Sequence, residues 1–100
     1  MVVMGMGYVG ILSVDLHFPE AGSLKGKRKF VRSAKAQLQN RFGASVAEVG
    51  HHDLWQRAAL AVVTVSTDQT HADRELAAAA DEIERVEPGL VTRTDVEFLT

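Results

Sequence analysis

The sequence predicts an α+β fold in which two helices cover one face of a four-stranded antiparallel sheet. Segments near both ends of the chain alternate apolar and polar residues with the period of two that is typical of strands. Two longer segments repeat apolar residues at the helical period, and a valine-rich apolar run lies between them at residues 60–65. The resulting order is strand, helix, strand, strand, helix, strand, which is typical of the ferredoxin-like split β-α-β sandwich.

The first strand is predicted at residues 8–18. Its residues alternate between an apolar face, which includes Leu12 and Val14, and a face that becomes more polar along the strand. Pro19 and Gly22 end the strand. Because the helices can cover only one face of such a sheet, we expect the polar side chains of this strand to lie on the open face, namely Ser13, Asp15 and His17.

The first helix is predicted at residues 24–42. Ser23 offers an N-cap, and Gly43 follows the last helical residue, at a position where the left-handed backbone conformation favours glycine. The apolar stripe of this helix comprises Leu24, Val31, Ala34, Leu38 and Phe42, with Phe30 on its flank.

The second half of the chain completes the sheet and adds the second helix. Residues 44–50 predict a short strand, and residues 57–67 predict a strongly apolar strand that belongs in the middle of the sheet. Pro88-Gly89 ends the second helix. The N-cap chemistry of that helix comes from Ser66, Thr67 and Asp68, and its apolar stripe comprises Ala72, Leu76, Ala79, Ile83 and Val86.

The two ends of the chain differ in regularity. Residues 1–7 contain three Met and two Gly without a period, so we expect a loosely ordered lead-in before a single domain at residues 8–100. The last strand is predicted at residues 90–99, where one face comprises Leu90, Thr92, Thr94, Val96 and Phe98.

Length and composition limit the function before any motif is considered. One hundred residues, 46% apolar and 24% charged, fit one globular domain, and no apolar run approaches the roughly 20 residues of a membrane-spanning helix. No basic residue precedes the first apolar stretch, so we expect no signal peptide. The absence of cysteine excludes disulfides, thiolate nucleophiles and cysteine-bound zinc, and it suits the cytoplasm, where we expect the protein to reside.

The net charge of −2 conceals an asymmetry along the chain. Residues 1–50 carry seven Lys or Arg and three Asp or Glu, whereas residues 51–100 carry four basic and ten acidic residues. Five of these ten acids fall in the second predicted helix, and an ordinary solvated helix face explains them better than a contact with the first helix of a second copy. The asymmetry favours a polar partner surface or pairing between copies without choosing between them.

The sequence does not contain the residues that several known functions of this fold require. RNA-recognition domains stack bases on aromatic residues of the central strands, but the predicted strand at residues 57–67 has no aromatic residue. Acylphosphatases of similar shape need an arginine in the loop after the first strand, and that loop, residues 19–22, has none. No glycine-rich loop follows a strand to bind phosphate, and we expect neither sequence-specific DNA binding nor a cofactor.

The first dense motif is basic and opens the first predicted helix. Cations near a helix N-terminus oppose the helix dipole slightly, which is a small argument for a functional role, although basic helices are common and a solvated helix face remains the more frequent explanation. Such a cluster suits phosphate oxygens of RNA or an acidic protein surface. The candidate contact residues are Lys25, Lys27, Arg28, Lys29 and Arg32.

The second dense motif is the predicted hairpin at residues 48–57. A packed tryptophan with hydrogen bonds from Asp53 and Gln56 would fasten such a hairpin. Adjacent histidines on an extended chain point in opposite directions, so His51 and His52 are a poor metal pair and we expect no metal site. The candidate residues of this motif are Glu48, His51, Asp53, Trp55, Gln56 and Arg57.

Both motifs resemble the YlxP-like family of small bacterial proteins of unknown function. The resemblance rests on the strand at residues 12–18 with the following Ser-Leu-Lys-x-Lys-Arg, and on the run Val-Ala-Glu-Val-Gly-His-x-Asp-Leu-Trp-Gln-Arg-Ala at residues 46–58. The chain departs from the family at Gly26, where an acidic residue is expected, and at His52, where glutamine is frequent. The resemblance implies a ferredoxin-like architecture and, through neighbouring genes, a connection to the ribosome or RNA; it implies no established enzymatic activity.

Three hypotheses follow from the sequence. The first is a non-catalytic binding module that docks on RNA or a ribosomal component through its basic first helix. The alternative is a homo-oligomeric structural or ligand-sensing module that uses the open sheet face and its edges. An enzyme is the weakest hypothesis, because its acid–base set would consist of Asp15, His17, His51 and Asp53 alone.

Overall fold

The described residues form six elements, which follow one another in the predicted order. A computed structural model of the protein describes residues 7–18 and 24–99. The elements are β1 (Tyr8–His17), α1 (Leu24–Phe42), β2 (Ser45–Gly50), β3 (Arg57–Ser66), α2 (Gln69–Val86) and β4 (Val91–Leu99). The ferredoxin-like α+β fold class is thus confirmed. The N-cap predicted at Ser23, the strand end predicted at Pro19 and Gly22, and residues 1–6 of the predicted lead-in lie outside the described residues.

The four strands form one antiparallel sheet in the order β2-β3-β1-β4. The apolar strand β3 is an inner strand, as predicted, and pairs with β1 from Tyr8 opposite Ser66 to His17 opposite Arg57. Strands β2 and β4 are the two edges. This order brings the end of β1 next to the start of β3, and it leaves β2 as the edge strand beside α1.

The buried apolar residues of the described ranges form a core between one sheet face and the two helices, which pack against each other. The alternation predicted for the first strand is confirmed, because Leu12, Val14 and Leu16 are buried while Ser13 and His17 are exposed. The ring of Phe18 meets Phe30 edge-on, with 5.4 Å between centroids. The helices contribute Phe30, Val31, Ala34 and Leu38 from α1 and Ala72, Leu76, Ala79 and Ile83 from α2.

The described helix ends follow the predicted chemistry. Gly43 has a φ of +61°, the left-handed conformation expected of the residue after α1, and its N–H donates to the Gln39 carbonyl at 3.1 Å. Of the three residues predicted to cap α2, Asp68 is the N-cap, and its carboxylate accepts from the Thr70 N–H at 2.9 Å.

The last strand departs from its predicted alternation. A bulge shifts the register so that Asp15 pairs with Arg93 but Leu16 pairs with Val91, which leaves Thr92 as the extra residue. Val91 therefore packs against the core, and the Thr92 hydroxyl donates to the Asp15 carbonyl at 3.2 Å. The uninterrupted alternation predicted from Leu90 through Thr92 was wrong, because a bulge cannot be seen in a period-two pattern.

Candidate functional site

The two sequence motifs meet at the side chain of Lys27. The prediction that this lysine contacts phosphate was wrong, because its side chain is buried within the protein. Lys27 is only 1% exposed and is the largest fully buried side chain among the described residues. It reaches from α1 to the segment that joins β2 to β3, which carries the second motif.

Four oxygen atoms surround the Lys27 ammonium group. Its Nζ lies 2.9 Å from Oε2 of Glu48, and it donates to the carbonyl oxygens of His51 at 2.7 Å and Arg57 at 3.1 Å. The fourth is the His52 carbonyl at 3.4 Å. The Glu48 contact has the distance of an ion pair but not the direction of a hydrogen bond. A buried ammonium needs such a set of partners, because removing its hydration without replacement is very costly.

Local geometry explains why these two residues meet. Lys27 follows Leu24 by three positions and precedes Val31 by four, so helical periodicity turns it toward the core together with Val31. Glu48 pairs with the buried Leu60, which places it on the helix-covered face of β2. A register shift follows between Glu48 and Gly50.

The connection from residue 51 to residue 56 is closed mainly by backbone contacts. His51 has a φ of +62°, which is unusual for a residue other than glycine, and its carbonyl also accepts from the Leu54 N–H at 3.1 Å. The Gln56 carbonyl accepts from the Phe18 N–H at 2.7 Å. The expected side-chain hydrogen bonds from Asp53 and Gln56 are not found within the described ranges, and Lys27 fastens the hairpin instead.

The other predicted hairpin residues are turned outward. Asp53, Gln56 and Arg57 are exposed, and Trp55 retains 39% of its surface. Since the next residue of β3 faces the core, Arg57 stands on the open side of the sheet opposite His17. The side chain of His52 is also exposed, and its Nε2 lies 3.0 Å from the Glu48 carbonyl.

The other four candidates of the basic motif form what we call the basic face. All four are exposed: Lys25, Arg28, Lys29 and Arg32. None of them takes part in an ion pair with another described residue. Arg28 and Arg32 line an open groove of about 450 Å³ between α1 and β2, together with Lys35, Gln39 and Glu48. The basic face therefore carries positive charge that the described part of the chain does not neutralise.

The far end of α1 differs from the basic face. There Arg41 pairs with the carboxylate of Glu82, which is 6% exposed and also accepts from Arg85 at 2.8 Å. The acidic helix α2 thus neutralises the last cation of α1 within the same chain. The remaining cations of α1 lie nearer its N-terminus, toward the hairpin.

The four residues of the acid–base set considered for an enzyme lie in two parts of the fold, Asp15 and His17 on β1 and His51 and Asp53 in the connection between β2 and β3. Asp15 lies on the open sheet face, in a depression of about 230 Å³ lined also by Ser13, Arg93 and Asp95. Among the described residues, no hydrogen bond or ion pair joins any two side chains of Asp15, His17, His51 and Asp53. No group of three or more His, Asp or Glu residues in the described ranges is arranged to hold a metal ion.

Sequence comparison agrees with the two motifs. The profile of the family described as "Protein of unknown function (DUF503)" matches residues 9–96. The chain belongs to this family. It is also 32% identical over 68 residues to the uncharacterized protein YlxP of Bacillus subtilis, a match that covers 68% of this chain and 74% of that protein. The resemblance inferred from the two motifs is thereby confirmed, and the family carries no known function.

Solved structures share the fold with this DUF503 chain at low sequence identity. A putative antibiotic biosynthesis monooxygenase from Bordetella bronchiseptica is 19% identical, with a TM-score of 0.57 over 94% of this chain and 96% of that one. The designed protein Foldit4 is 13% identical, with a TM-score of 0.54 over 94% and 97%. These likenesses show the fold alone. No described helix is long and apolar enough to cross a membrane.

Proposed function

We propose that this protein is a binding module that docks on ribosomal RNA through the basic face of α1. The observation that carries the proposal is the set of four exposed cations on one helix, none of them paired with another described residue. Unpaired Lys and Arg side chains on a helix are suited to phosphate oxygens, whose neutralisation releases counterions and favours binding. A ribosomal partner would also place the protein in the cytoplasm, as the lack of cysteine led us to expect.

The groove beside the basic face indicates the path that a bound phosphate backbone would follow along α1. Arg28, Arg32 and Lys35 line it along α1, and Gln39 lies farther along the same side. A phosphate backbone that followed this groove would meet successive guanidinium and ammonium groups, each able to donate hydrogen bonds to phosphate oxygens. Lys27 takes no part in this contact, since its ammonium group is already surrounded by protein oxygens.

Binding to purified ribosomal subunits tests the proposal. The double variant Arg28→Ala/Arg32→Ala removes two cations from the groove, and Arg74→Ala/Arg93→Ala removes two exposed arginines elsewhere, so both variants have the same net charge. We expect wild type and the second variant to sediment with subunits at low salt, and the first variant to bind at least about tenfold more weakly. Equal binding by both variants, or no binding by wild type, would refute the proposal.

A second candidate is self-association through the open sheet face. Beyond Arg57 at its start, β3 presents four uncharged residues there, Ala59, Ala61, Val63 and Val65, and Val65 is 71% exposed. At the end of β4, Leu99 is 55% exposed and pairs with Val9, which in turn pairs with Val65. Such an uncharged strip is suited to burial against a second copy. Sedimentation equilibrium of wild type and Val65→Asp tests this: a wild-type dimer that the variant dissociates supports it, and a wild-type monomer at high concentration refutes it.

A further inference from the structure

The hairpin presents an apolar surface to solvent. Leu54 is 50% exposed and Trp55 is 39% exposed, and Val49 at the end of β2 is 58% exposed. Trp55 is the only tryptophan in the chain. Because Lys27 and backbone hydrogen bonds close the hairpin, the exposed part of the indole is available for a contact outside the chain.

Trp55 lies on a segment that is held on both sides. Before it, Leu54 donates to His51, whose carbonyl also accepts from Lys27. After it, Gln56 accepts from Phe18 and Arg57 accepts from Lys27. Fixing a loop in advance lowers the entropic cost of binding, so an aromatic side chain carried by such a loop is well suited to recognition.

The same contacts connect this hairpin to the two elements that line the groove, α1 and β2. Glu48 lines the groove and also pairs with Lys27, whose sequence neighbour is Arg28. Trp55 is two residues from Arg57, whose carbonyl lies 3.1 Å from the Lys27 ammonium group. Two residues of extended chain span at most about 7 Å, so the backbone of Trp55 lies within about 10 Å of the Lys27 ammonium group.

We propose that Trp55 stacks on an unpaired base of the RNA whose phosphates Arg28 and Arg32 bind, so that the ligand is single-stranded RNA. This inference rests on the proposed function. Proteins that bind single strands combine a cationic groove along the backbone with aromatic side chains on which bases stack. Bases within a duplex already stack on their neighbours, and an unpaired strand leaves them free to stack on protein side chains. The aromatic residue missing from the central strands is thus supplied by the hairpin.

Fluorescence of the single tryptophan tests the stacking directly. The probes are a fluorescein-labelled oligouridylate of about 12 nucleotides and the same strand paired with its complement, and the binding of each is measured by fluorescence anisotropy at low salt. In a second titration, an unlabelled strand is added and the emission of the Trp55 indole is recorded. We expect the single strand to bind more tightly than the duplex and to quench the indole emission. Trp55→Ala should weaken single-strand binding about 5- to 100-fold, Trp55→Phe should retain most of it, and Leu54→Ala should change it less than about threefold.

The outcomes separate this inference from the proposed function. Binding that depends on Arg28 and Arg32 but leaves the indole emission unchanged, or that is equal for duplex and single strand, overturns the stacking and leaves the basic face as the RNA contact. Absence of any RNA binding by the folded wild-type protein overturns both. Denaturation of each variant in urea shows whether it is folded. If Trp55→Ala does not fold, the quenching of the wild-type indole and the comparison of single strand with duplex still decide the test.

Discussion

Replacement of Lys27 by methionine removes the buried ammonium group while keeping an unbranched side chain that can fill the same space. The change leaves Glu48 without its ion-pair partner and withdraws a donor from the carbonyls of His51 and Arg57. Removing one partner of a buried ion pair costs about 3–5 kcal/mol. The lower end applies here, because the Glu48 side chain is 17% exposed and the His51 carbonyl still accepts from Leu54.

We therefore expect Lys27→Met to lower the free energy of unfolding by about 3 kcal/mol, measured by urea denaturation. The matched control is Lys29→Met, the same substitution at an exposed position of α1, which should change stability by no more than about 0.5 kcal/mol. The double variant Lys27→Met/Glu48→Leu should recover part of the loss, because an apolar pair leaves no buried charge unpaired. A loss below about 1 kcal/mol for Lys27→Met would refute the view that Lys27 fastens the hairpin.

Two further predictions concern the fold. A Cβ at Gly10 would lie 2.8 Å from Leu76 Cδ1 and 3.0 Å from Phe98 Cε1, so we expect Gly10→Val to destabilise the protein by about 1–3 kcal/mol in urea denaturation. Gly50→Ala, whose Cβ meets nothing closer than 3.4 Å, should have a much smaller effect, and equal losses would contradict this account. Asp68→Ala removes the N-cap of α2 and should lower the melting temperature by an amount equivalent to about 1 kcal/mol; an unchanged melting temperature would show that the cap contributes nothing.

The fold could be predicted from the sequence because its signals are local. Alternation in β1, the stripe of α1 and the glycine at position 43 each depend on a few neighbouring residues. The bulge opposite Asp15 could not be predicted, because it is defined by pairing between β1 and β4, and periodicity carries no information on which residue is extra.

The site was predicted less completely than the fold, and Lys27 shows why. Its spacing from Leu24 and Val31 placed it on the buried stripe, and this signal was present in the sequence. Its charge led instead to a prediction of exposure, because lysine is rarely buried without a partner. The partner, Glu48, becomes visible only when the register of β2 on β3 is known, since the two residues are far apart in the chain.

The central claim is that the basic face of α1 binds RNA phosphates, and the salt dependence of binding tests it most directly. Affinity for single-stranded RNA is measured by anisotropy over a series of salt concentrations for wild type, Arg28→Ala/Arg32→Ala and Arg74→Ala/Arg93→Ala. If both groove arginines contact phosphate, the slope of log affinity against log salt should fall in magnitude by about 1.4 in the first variant and stay unchanged in the second. Equal slopes for all three proteins would contradict the claim.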